Sequence, residues 1–131
     1  DLMRTLIAAM WFARIVETDC RNHDHKIAFT SQLCHVIASA LVESAENEQI
    51  TEFGGGSFED LTRIAMINAP LWTELFLSNK TELLGHLGRF EQQLGTIRKY
   101  IEENDAQGLE KYLGDVRRRR MSMGMLVTKD R

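Results

Sequence analysis

The sequence has 131 residues, of which 44% are hydrophobic and 27% charged, and its formal net charge at pH 7 is −3. This length and apolar content fit one domain with a core of its own. The acidic balance argues against a nucleic-acid-binding protein. No apolar stretch approaches the roughly 20 residues of a membrane span, and no secretory signal pattern appears.

The first predicted elements are a helix over Leu2–Trp11 and an alternating stretch, Ala13–Glu17, that could form one short strand. From Asp19 to Ser44 the apolar spacing is helical. One apolar stripe falls at i, i+3, i+4, i+7 and i+8: Leu33, Val36, Ile37, Ala40 and Leu41. The polar stretch Glu46–Glu52 predicts a loop.

The following segments are also predicted to be helical. Ser57 resembles an N-cap, with Asp60 completing a variant capping box, for a helix that runs to about Asn68. Pro70 suits the first turn of the next helix. A heptad-like seam then follows: Leu83, Leu87, Phe90, Leu94, Ile97 and Ile101. Three glycines along this helix predict a close helix crossing: Gly85, Gly88 and Gly95.

The chain is predicted to end in one more helix. Asp105 caps it, and it runs from Ala106 to about Arg119. The basic run Arg117–Arg120 is predicted to be its solvated end, where the helix dipole favours cations. With one proline and few runs of β-branched residues, the sequence predicts an all-α bundle of about five or six helices and one possible short N-terminal strand.

The two cysteines, Cys20 and Cys34, fall within one predicted helix. Their separation along a helix is about 21 Å, far beyond the reach of a disulfide. We therefore expect reduced thiols and a cytoplasmic protein.

The long helix has an unusual second face, opposite the apolar stripe. It carries small residues and a single histidine instead of the usual charges: Asp24, Ala28, Ser31, His35, Ala38 and Val42, with Gln32 and Ser39 at its edge. Two interpretations are open. Either a neighbouring helix packs there and His35 is a hydrogen-bonded interface residue, or His35 points into a pocket together with Ser31 and Gln32.

Neither a metal site nor a phosphate site is predicted. His23 and His25 lie about 200° apart on a helix, so they cannot share a metal ion. The run Gly54–Gly56 lacks the third glycine of a dinucleotide fingerprint and the lysine of a P-loop. Glu59 and Asp60, in the first turn of the next helix, would repel a phosphate.

Arg63 has two open interpretations. Its planar guanidinium could bind a carboxylate with two parallel hydrogen bonds. Alternatively, it pairs with Glu59 or Asp60 on its own helix, at a spacing where such pairs are common.

Three blocks occur in order: His23-Asp24 with Ser31–His35, then Gly54–Ala65, then Leu71-Trp72 with Phe76–Lys80. Together they resemble the C-terminal helical domain of prephenate dehydrogenases, the NAD-dependent enzymes of tyrosine biosynthesis, over about Ala13–Arg119. In that family an N-terminal Rossmann domain binds NAD and carries the catalytic histidine. The all-α C-terminal domain, of the 6-phosphogluconate dehydrogenase C-terminal-like type, forms the dimer and supplies part of the substrate site.

The resemblance implies three parts of the chain. Residues 1–17 are a linker helix and strand from a Rossmann domain that the sequence lacks, residues 18–120 are the dimerisation and substrate-binding domain, and residues 121–131 are a tail. The chain, which begins at Asp1, is then expected to be a fragment without a catalytic residue. It would be inactive alone but homodimeric, through the heptad helix and the small-residue face. NAD would be bound by the other domain, and no metal is implied.

The substrate-binding residues are carried over position by position. Arg63 matches the family arginine that binds a substrate carboxylate, and His35 matches the second histidine of the Ser-His-Leu-Pro-His motif. The resemblance adds the motif serine, two loop residues that line the site partly from the other subunit, and an aromatic residue near the pocket: Ser31, Gly56, Asp60 and Trp72. Gln32 replaces the first histidine of the motif and can still donate a hydrogen bond. Cys34 replaces its proline, which should leave a straighter helix.

The implied reaction of the full enzyme is hydride transfer from prephenate to NAD, with loss of CO2 to give 4-hydroxyphenylpyruvate. Arogenate is the alternative substrate, and tyrosine is a candidate inhibitor. Two other interpretations stay open. One is a structural or regulatory all-α dimer module in which Arg63 and His35 pair internally. The other is a helical domain from a different member of the 3-hydroxyacid or 6-phosphogluconate dehydrogenase group.

Overall fold

The computed structural model describes residues 2–12 and 15–128, with side chains described as far as residue 123. Its α-helices are α1 (Leu2–Ala9), α2 (Cys20–Ile27), α3 (Leu33–Glu43), α4 (Gly56–Thr62), α5 (Ala69–Ser78), α6 (Lys80–Glu102) and α7 (Ala106–Thr128). One π-helical turn and two 3₁₀ segments complete the regular structure of the described residues: Ala28–Gln32, Glu48–Phe53 and Arg63–Ala65. The predicted all-α fold is confirmed.

The N-terminal segment follows the prediction in part. Helix α1 begins as expected and ends at Ala9, and Trp11 follows with a positive φ of 63°. The predicted strand is wrong within the described residues, since residues 15–17 have no regular structure there; Ala13 and Arg14 lie outside them. A strand needs a partner for its backbone hydrogen bonds, and the described residues supply none.

The long helix predicted over Asp19–Ser44 forms, but it is not a uniform α-helix. Asp19 caps α2 by accepting a 2.8 Å hydrogen bond from the backbone nitrogen of Asn22. The π turn Ala28–Gln32 then joins α2 to α3 without a break. A π turn contains one more residue than an α-helical turn. Face assignments that count 100° per residue therefore fail across it.

The segment after α3 differs most from the prediction. Part of the predicted loop forms the 3₁₀ segment Glu48–Phe53. The predicted N-cap at Ser57 is wrong, because the N-cap of α4 is Gly55 and Ser57 lies inside the helix. Glycine has no side chain with which to cap, so the capping box with Asp60 does not form either.

The later helices agree better with the prediction. Asn68 caps α5 through a 3.1 Å bond from the backbone nitrogen of Leu71, and Pro70 lies in the first turn. Asp105 caps α7 by accepting a 2.9 Å bond from the backbone nitrogen of Gly108. Helix α7 continues past the predicted end at Arg119, so the basic run Arg117–Arg120 is exposed inside a helix and not at its end.

The chain divides into two compact units, Asp1–His86 and Leu87–Arg131. All described residues that are buried lie in the first unit: apolar Ala28, Leu33, Ala38 and Leu83, and polar Gln32, Thr62 and His86. In this unit α3 packs against α4 and the 3₁₀ turn Arg63–Ala65. None of the side chains described in the second unit is buried, although it contains most of the heptad seam.

The small-residue face is used inside the chain. Ala28 and Ala38 are 0% and 1% exposed, whereas Leu41 of the predicted apolar stripe is 36% exposed. Ala28 and Ala38 are therefore packed within the chain, whereas Val42 of the same face is 44% exposed. Dimerisation through the rest of this face stays a prediction. The three glycines of α6 show no close crossing within the chain, because a Cβ at Gly85, Gly88 or Gly95 would meet no described atom within 4 Å.

Within residues 2–12 and 15–128, no helix is both long and apolar enough to cross a membrane. Cys20 and Cys34 are free thiols, as predicted, and both are exposed.

Candidate functional site

The π turn Ala28–Gln32 carries two of the predicted site residues, Ser31 and Gln32. Single π turns inside α-helices are often found at functional sites. Six backbone carbonyls around this turn accept hydrogen bonds from side chains: Asp24 from Asn79, His25 from His86, Lys26 from Thr30, Phe29 and Thr30 both from Cys34, and Ser31 from His35. The side chains thus supply donors where the helical hydrogen-bonding pattern changes.

His35 and Trp72 form a stacked pair beside the π turn. Their ring centroids are 3.6 Å apart and the planes are inclined by 26°. Nδ1 of His35 lies 2.9 Å from the carbonyl oxygen of Ser31. Because a carbonyl only accepts, Nδ1 carries a hydrogen, and Nε2 makes no hydrogen bond to the described residues. The half-buried ring of His35 is therefore held in one orientation by its bond to Ser31 and its stack on Trp72.

Trp72 itself is part of a short aromatic series on α5. Its ring lies 5.5 Å from that of Phe76, at an interplanar angle of 58°. Tilted aromatic pairs at this separation are favourable. Trp72 therefore contacts the rings of both His35 and Phe76.

Gln32 is buried and both ends of its amide have partners. Nε2 donates to the carbonyl oxygen of Leu75 at 3.2 Å, and Oε1 accepts from Nδ2 of Asn79 at 3.0 Å. The side chain is 5% exposed. Gln32 thus joins the π turn to α5, and it has little amide surface left for a ligand.

Arg63 lies in a different part of the first unit, in the 3₁₀ turn after α4. It is exposed and forms no ion pair or hydrogen bond within the described part of the chain, so the predicted pairing with Glu59 or Asp60 does not occur. It lines a cavity of about 630 Å³. Three carboxylates line the same cavity: Glu43, Glu48 and Glu59. Arg63 is the one basic residue among the described residues that line it.

Gly56 and Asp60, the two predicted loop residues, lie in α4 and are exposed. A Cβ at Gly56 would meet no described atom within 4 Å, so nothing in the described residues requires glycine there. Gly54 differs, since a Cβ there would lie 2.8 Å from the carbonyl oxygen of Thr51. The described contacts connect Ser31, Gln32, His35 and Trp72 to one another through the π turn and α5, and they do not connect Gly56, Asp60 or Arg63 to that set.

A histidine cluster that the sequence analysis did not predict lies next to the π turn. Nδ1 of His25 is 2.6 Å from a carboxylate oxygen of Glu82, and its ring centroid is 4.5 Å from that of the buried His86. His86 Nε2 donates to the backbone carbonyl of His25 at 2.9 Å. The hydrogen bond from His25 lowers the pKa of the Glu82 carboxyl. His86 lies between the heptad positions Leu83 and Leu87, and its contacts with residues about 60 positions earlier accompany its burial beside α2.

The described residues contain no group of three or more His, Cys, Asp or Glu side chains that could hold a metal ion. The glycine run does not fit a dinucleotide either. It follows a 3₁₀ segment, not a strand, and acidic residues occupy the helix that it precedes.

The sequence model of one protein family, described as prephenate dehydrogenase, dimerization domain, matches residues 19–115. Among curated proteins, the chain is 30% identical over 105 residues to a prephenate dehydrogenase of Bacillus subtilis (strain 168), covering 76% of this chain and 28% of that protein. It is 32% identical over 116 residues to a cyclohexadienyl dehydrogenase of Zymomonas mobilis subsp. mobilis (strain ATCC 31821 / ZM4 / CP4), covering 84% of this chain and 40% of that protein.

Solved structures show the same likeness. The fold resembles that of a Synechocystis arogenate dehydrogenase with a TM-score of 0.81 at 20% identity, covering 93% of this chain and 46% of that one. It also resembles a prephenate dehydrogenase from A. aeolicus, solved in complex with hydroxyphenyl propionate and NAD+, with a TM-score of 0.73 at 30% identity, covering 83% of this chain and 40% of that one. The chain spans between 28% and 40% of the length of these two curated relatives.

Proposed function

The chain belongs to the prephenate dehydrogenase family, and we propose that it is the dimerisation and substrate-binding part of an enzyme that oxidatively decarboxylates prephenate to 4-hydroxyphenylpyruvate in tyrosine biosynthesis. Residues 18–120 are this part in the proposal, residues 1–17 the linker and residues 121–131 the tail. NAD would be bound outside these 131 residues, since their glycine run does not fit a dinucleotide. The chain alone is then inactive. We place the enzyme in the cytoplasm.

The stacked pair of His35 and Trp72 is the observation that carries this proposal. A flat indole and an imidazole with one unbonded nitrogen suit a six-membered ring substrate that bears a hydroxyl group. In the proposal, Nε2 of His35 hydrogen-bonds the substrate, and Ser31 and Gln32 support the π turn behind it. The complex of the A. aeolicus relative with hydroxyphenyl propionate supports a ligand of this shape.

Arg63 is proposed to bind a carboxylate of the substrate. It is exposed and has no partner in the described residues, so its five donors are available. Gly56 and Asp60, in the same short helix region, are proposed to line the site of a neighbouring subunit. In this proposal the neighbouring subunit completes the substrate site.

The homodimer is proposed to form through the hairpin of α6 and α7. Large apolar side chains on both helices are 48–60% exposed: Leu94, Ile101, Leu113 and Val116. Apolar surface of this extent on a soluble domain usually marks an interface. Sedimentation of the chain at micromolar concentration should show a dimer, and Leu94→Glu should convert it to a monomer. Leu77→Glu, at an exposed position of α5, is the control that should leave the dimer intact.

A structural dimer module without a catalytic role is the second candidate. It is favoured by the three carboxylates that share the cavity of Arg63, because they weaken the attraction of that cavity for a substrate carboxylate. Prephenate and tyrosine would then not be ligands at all.

Binding of hydroxyphenyl propionate, followed by NMR, separates the two candidates. The proposal expects millimolar ligand to shift the indole signal of Trp72 and the imidazole signals of His35, and expects Arg63→Ala to weaken the binding. Lys99→Ala, at an exposed cation of α6, is the control. Unchanged Trp72 and His35 signals at saturating ligand would favour the structural module.

A further inference from the structure

Asn79 is the residue at which three elements of the first unit meet. It follows the last residue of α5 as its C-cap, and it is half-buried. Its Nδ2 donates to the carbonyl oxygen of Asp24 at 2.9 Å and to Oε1 of Gln32 at 3.0 Å. A carboxamide has two N–H donors, and Asn79 uses both of them on the segment that contains the π turn.

The network continues from Gln32 to α5. Because Oε1 of Gln32 accepts from Asn79, its Nε2 is the atom that faces the carbonyl oxygen of Leu75, at 3.2 Å. Asn79 therefore sets which way the buried amide of Gln32 points. Reversal of that amide would place an oxygen against the Leu75 carbonyl, and a buried acceptor without a donor is costly.

The hydrogen bonds of Gln32 and Asn79 matter for the position of α5 because of how little of this helix is buried. Helix α5 contains no buried residue, so its place beside the π turn does not rest on an apolar core of its own. On α5, Leu75 lies one helical turn after Trp72, and in the other element His35 lies about one turn after Gln32. The hydrogen bonds of Gln32 and the stack of His35 on Trp72 are thus two consecutive contacts between the same elements.

We propose that Asn79 is a positioning residue: by donating to the Asp24 carbonyl and to Gln32, it holds the π turn against α5 in the register that stacks His35 on Trp72. This inference adds a supporting residue to the proposed substrate site. Only the functional meaning of Asn79, and not the geometry, rests on the proposed function. The geometry it explains exists in the chain without any ligand. Asn79 itself does not have to touch the substrate.

The test uses Trp72 as a reporter in the full chain, in a Trp11→Phe background that leaves one tryptophan. His35→Ala first defines the emission intensity and near-UV circular dichroism of an unstacked Trp72. Asn79→Ala and the nearly isosteric Asn79→Asp should each move both signals most of the way to those of His35→Ala, while the far-UV spectrum keeps its helical form. The Asn79→Asp side chain has no N–H donor. It instead places a carboxylate oxygen opposite the carbonyl oxygen of Asp24 and Oε1 of Gln32.

Two further variants make the test specific. Gln32→Met keeps the bond from Asn79 to Asp24 but removes the amide pair, and it should move the Trp72 signals in the same direction. Ser78→Ala is the matched control, since within the described residues its hydroxyl bonds only to the Glu74 carbonyl of its own helix. It should leave Trp72 as in the parent chain.

Parental Trp72 signals in either folded Asn79 variant, or in Gln32→Met if the Asn79 variants do not fold, would overturn the inference. Titration with hydroxyphenyl propionate separates it from the proposed function. If the parent does not bind this compound but the Asn79 variants still lose the stack, the positioning role stands and the substrate role fails. If the parent binds the compound and the Asn79 variants retain the stack, the substrate role stands and the positioning role fails.

Discussion

The carboxylate of Glu82 lies 2.6 Å from Nδ1 of His25, a residue 57 positions earlier in the chain. The pair joins the first turn of α6 to α2, and the hydrogen bond from His25 lowers the pKa of Glu82 in the folded chain. A carboxyl whose pKa is lowered by folding stabilises the fold above its ordinary pKa of about 4.3 and loses that contribution as the pH falls through the lowered value.

The first prediction follows from the lowered pKa of Glu82 in the folded chain. Glu82→Gln should lower the urea midpoint at pH 6 to 7, and the difference from the parent should shrink as the pH falls below about 4. Glu74→Gln, at an exposed carboxylate without an ion pair in the described residues, should show no such pH-dependent difference. Equal midpoints for Glu82→Gln and the parent at pH 7 would contradict the stabilising role of the pair.

The second prediction concerns the caps of the two helices around the predicted site. Asn68→Ala should destabilise the chain by about 1 kcal/mol, because it removes the acceptor for the Leu71 backbone nitrogen at the start of α5. Ser57→Ala should change the free energy of unfolding by less than about 0.5 kcal/mol, because Ser57 is not the N-cap of α4. Thermal unfolding of the two variants and the parent measures both changes in stability. A larger loss for Ser57→Ala would restore the capping box that the sequence had suggested.

The third prediction concerns Gly108, in the first turn of α7. A Cβ there would lie 2.6 Å from Cε1 of Tyr100, and closer still to the carboxylate of Asp105 that caps the helix. Gly108→Ala should therefore cost about 1–3 kcal/mol through overpacking and loss of the cap. Gly95→Ala is the contrast, since its Cβ would meet nothing described within 4 Å and alanine is favoured by about 1 kcal/mol in a helix.

Denaturant unfolding measures both glycine variants. If Gly108→Ala were as stable as the parent, the close contact between Tyr100 and Gly108 would be absent in solution. If Gly95→Ala lowered stability and also weakened the dimer, a second copy would be packing closely against α6 at that position.

The fourth prediction separates function from stability at Arg63. Because Arg63 is exposed and has no described partner, Arg63→Ala should change the free energy of unfolding by no more than about 0.5 kcal/mol. Thr62→Ala, at the buried neighbouring position whose hydroxyl donates to the Phe58 carbonyl at 2.7 Å, should cost about 1 kcal/mol or more. A loss at Arg63 as large as that at Thr62 would mean that the arginine holds the fold together.

Local signals in the sequence predicted the helices well where they act within one turn. Pro70 and Asp105 each mark a helix start, the first through its fixed φ and the second through a capping side chain, and both helix starts are confirmed. The heptad spacing likewise predicts α6. Such signals need no knowledge of the rest of the chain, and this is why they succeed.

The sequence did not predict the features that depend on contacts between distant residues. The π turn at Ala28–Gln32 is supported by Asn79 and His86, which lie more than 45 positions later, and no spacing within the helix reveals them. The stack of His35 on Trp72 likewise joins residues 37 positions apart, and no spacing within the helix predicts it. The strand at Ala13–Glu17 was predicted from alternation alone, which cannot supply a partner.

The π turn also constrains how this chain can change by insertion and deletion. Loss of one residue from Ala28–Gln32 would restore a regular helix and leave the side chains from Leu33 onward facing as they do now, because a π turn contains one more residue than an α-helical turn. Loss of one residue from a regular turn of α2 would instead rotate the whole of α3 by about 100° relative to the start of α2, and His35 would leave Trp72. The π turn is therefore the place where this long helix can lose a residue without reorienting α3.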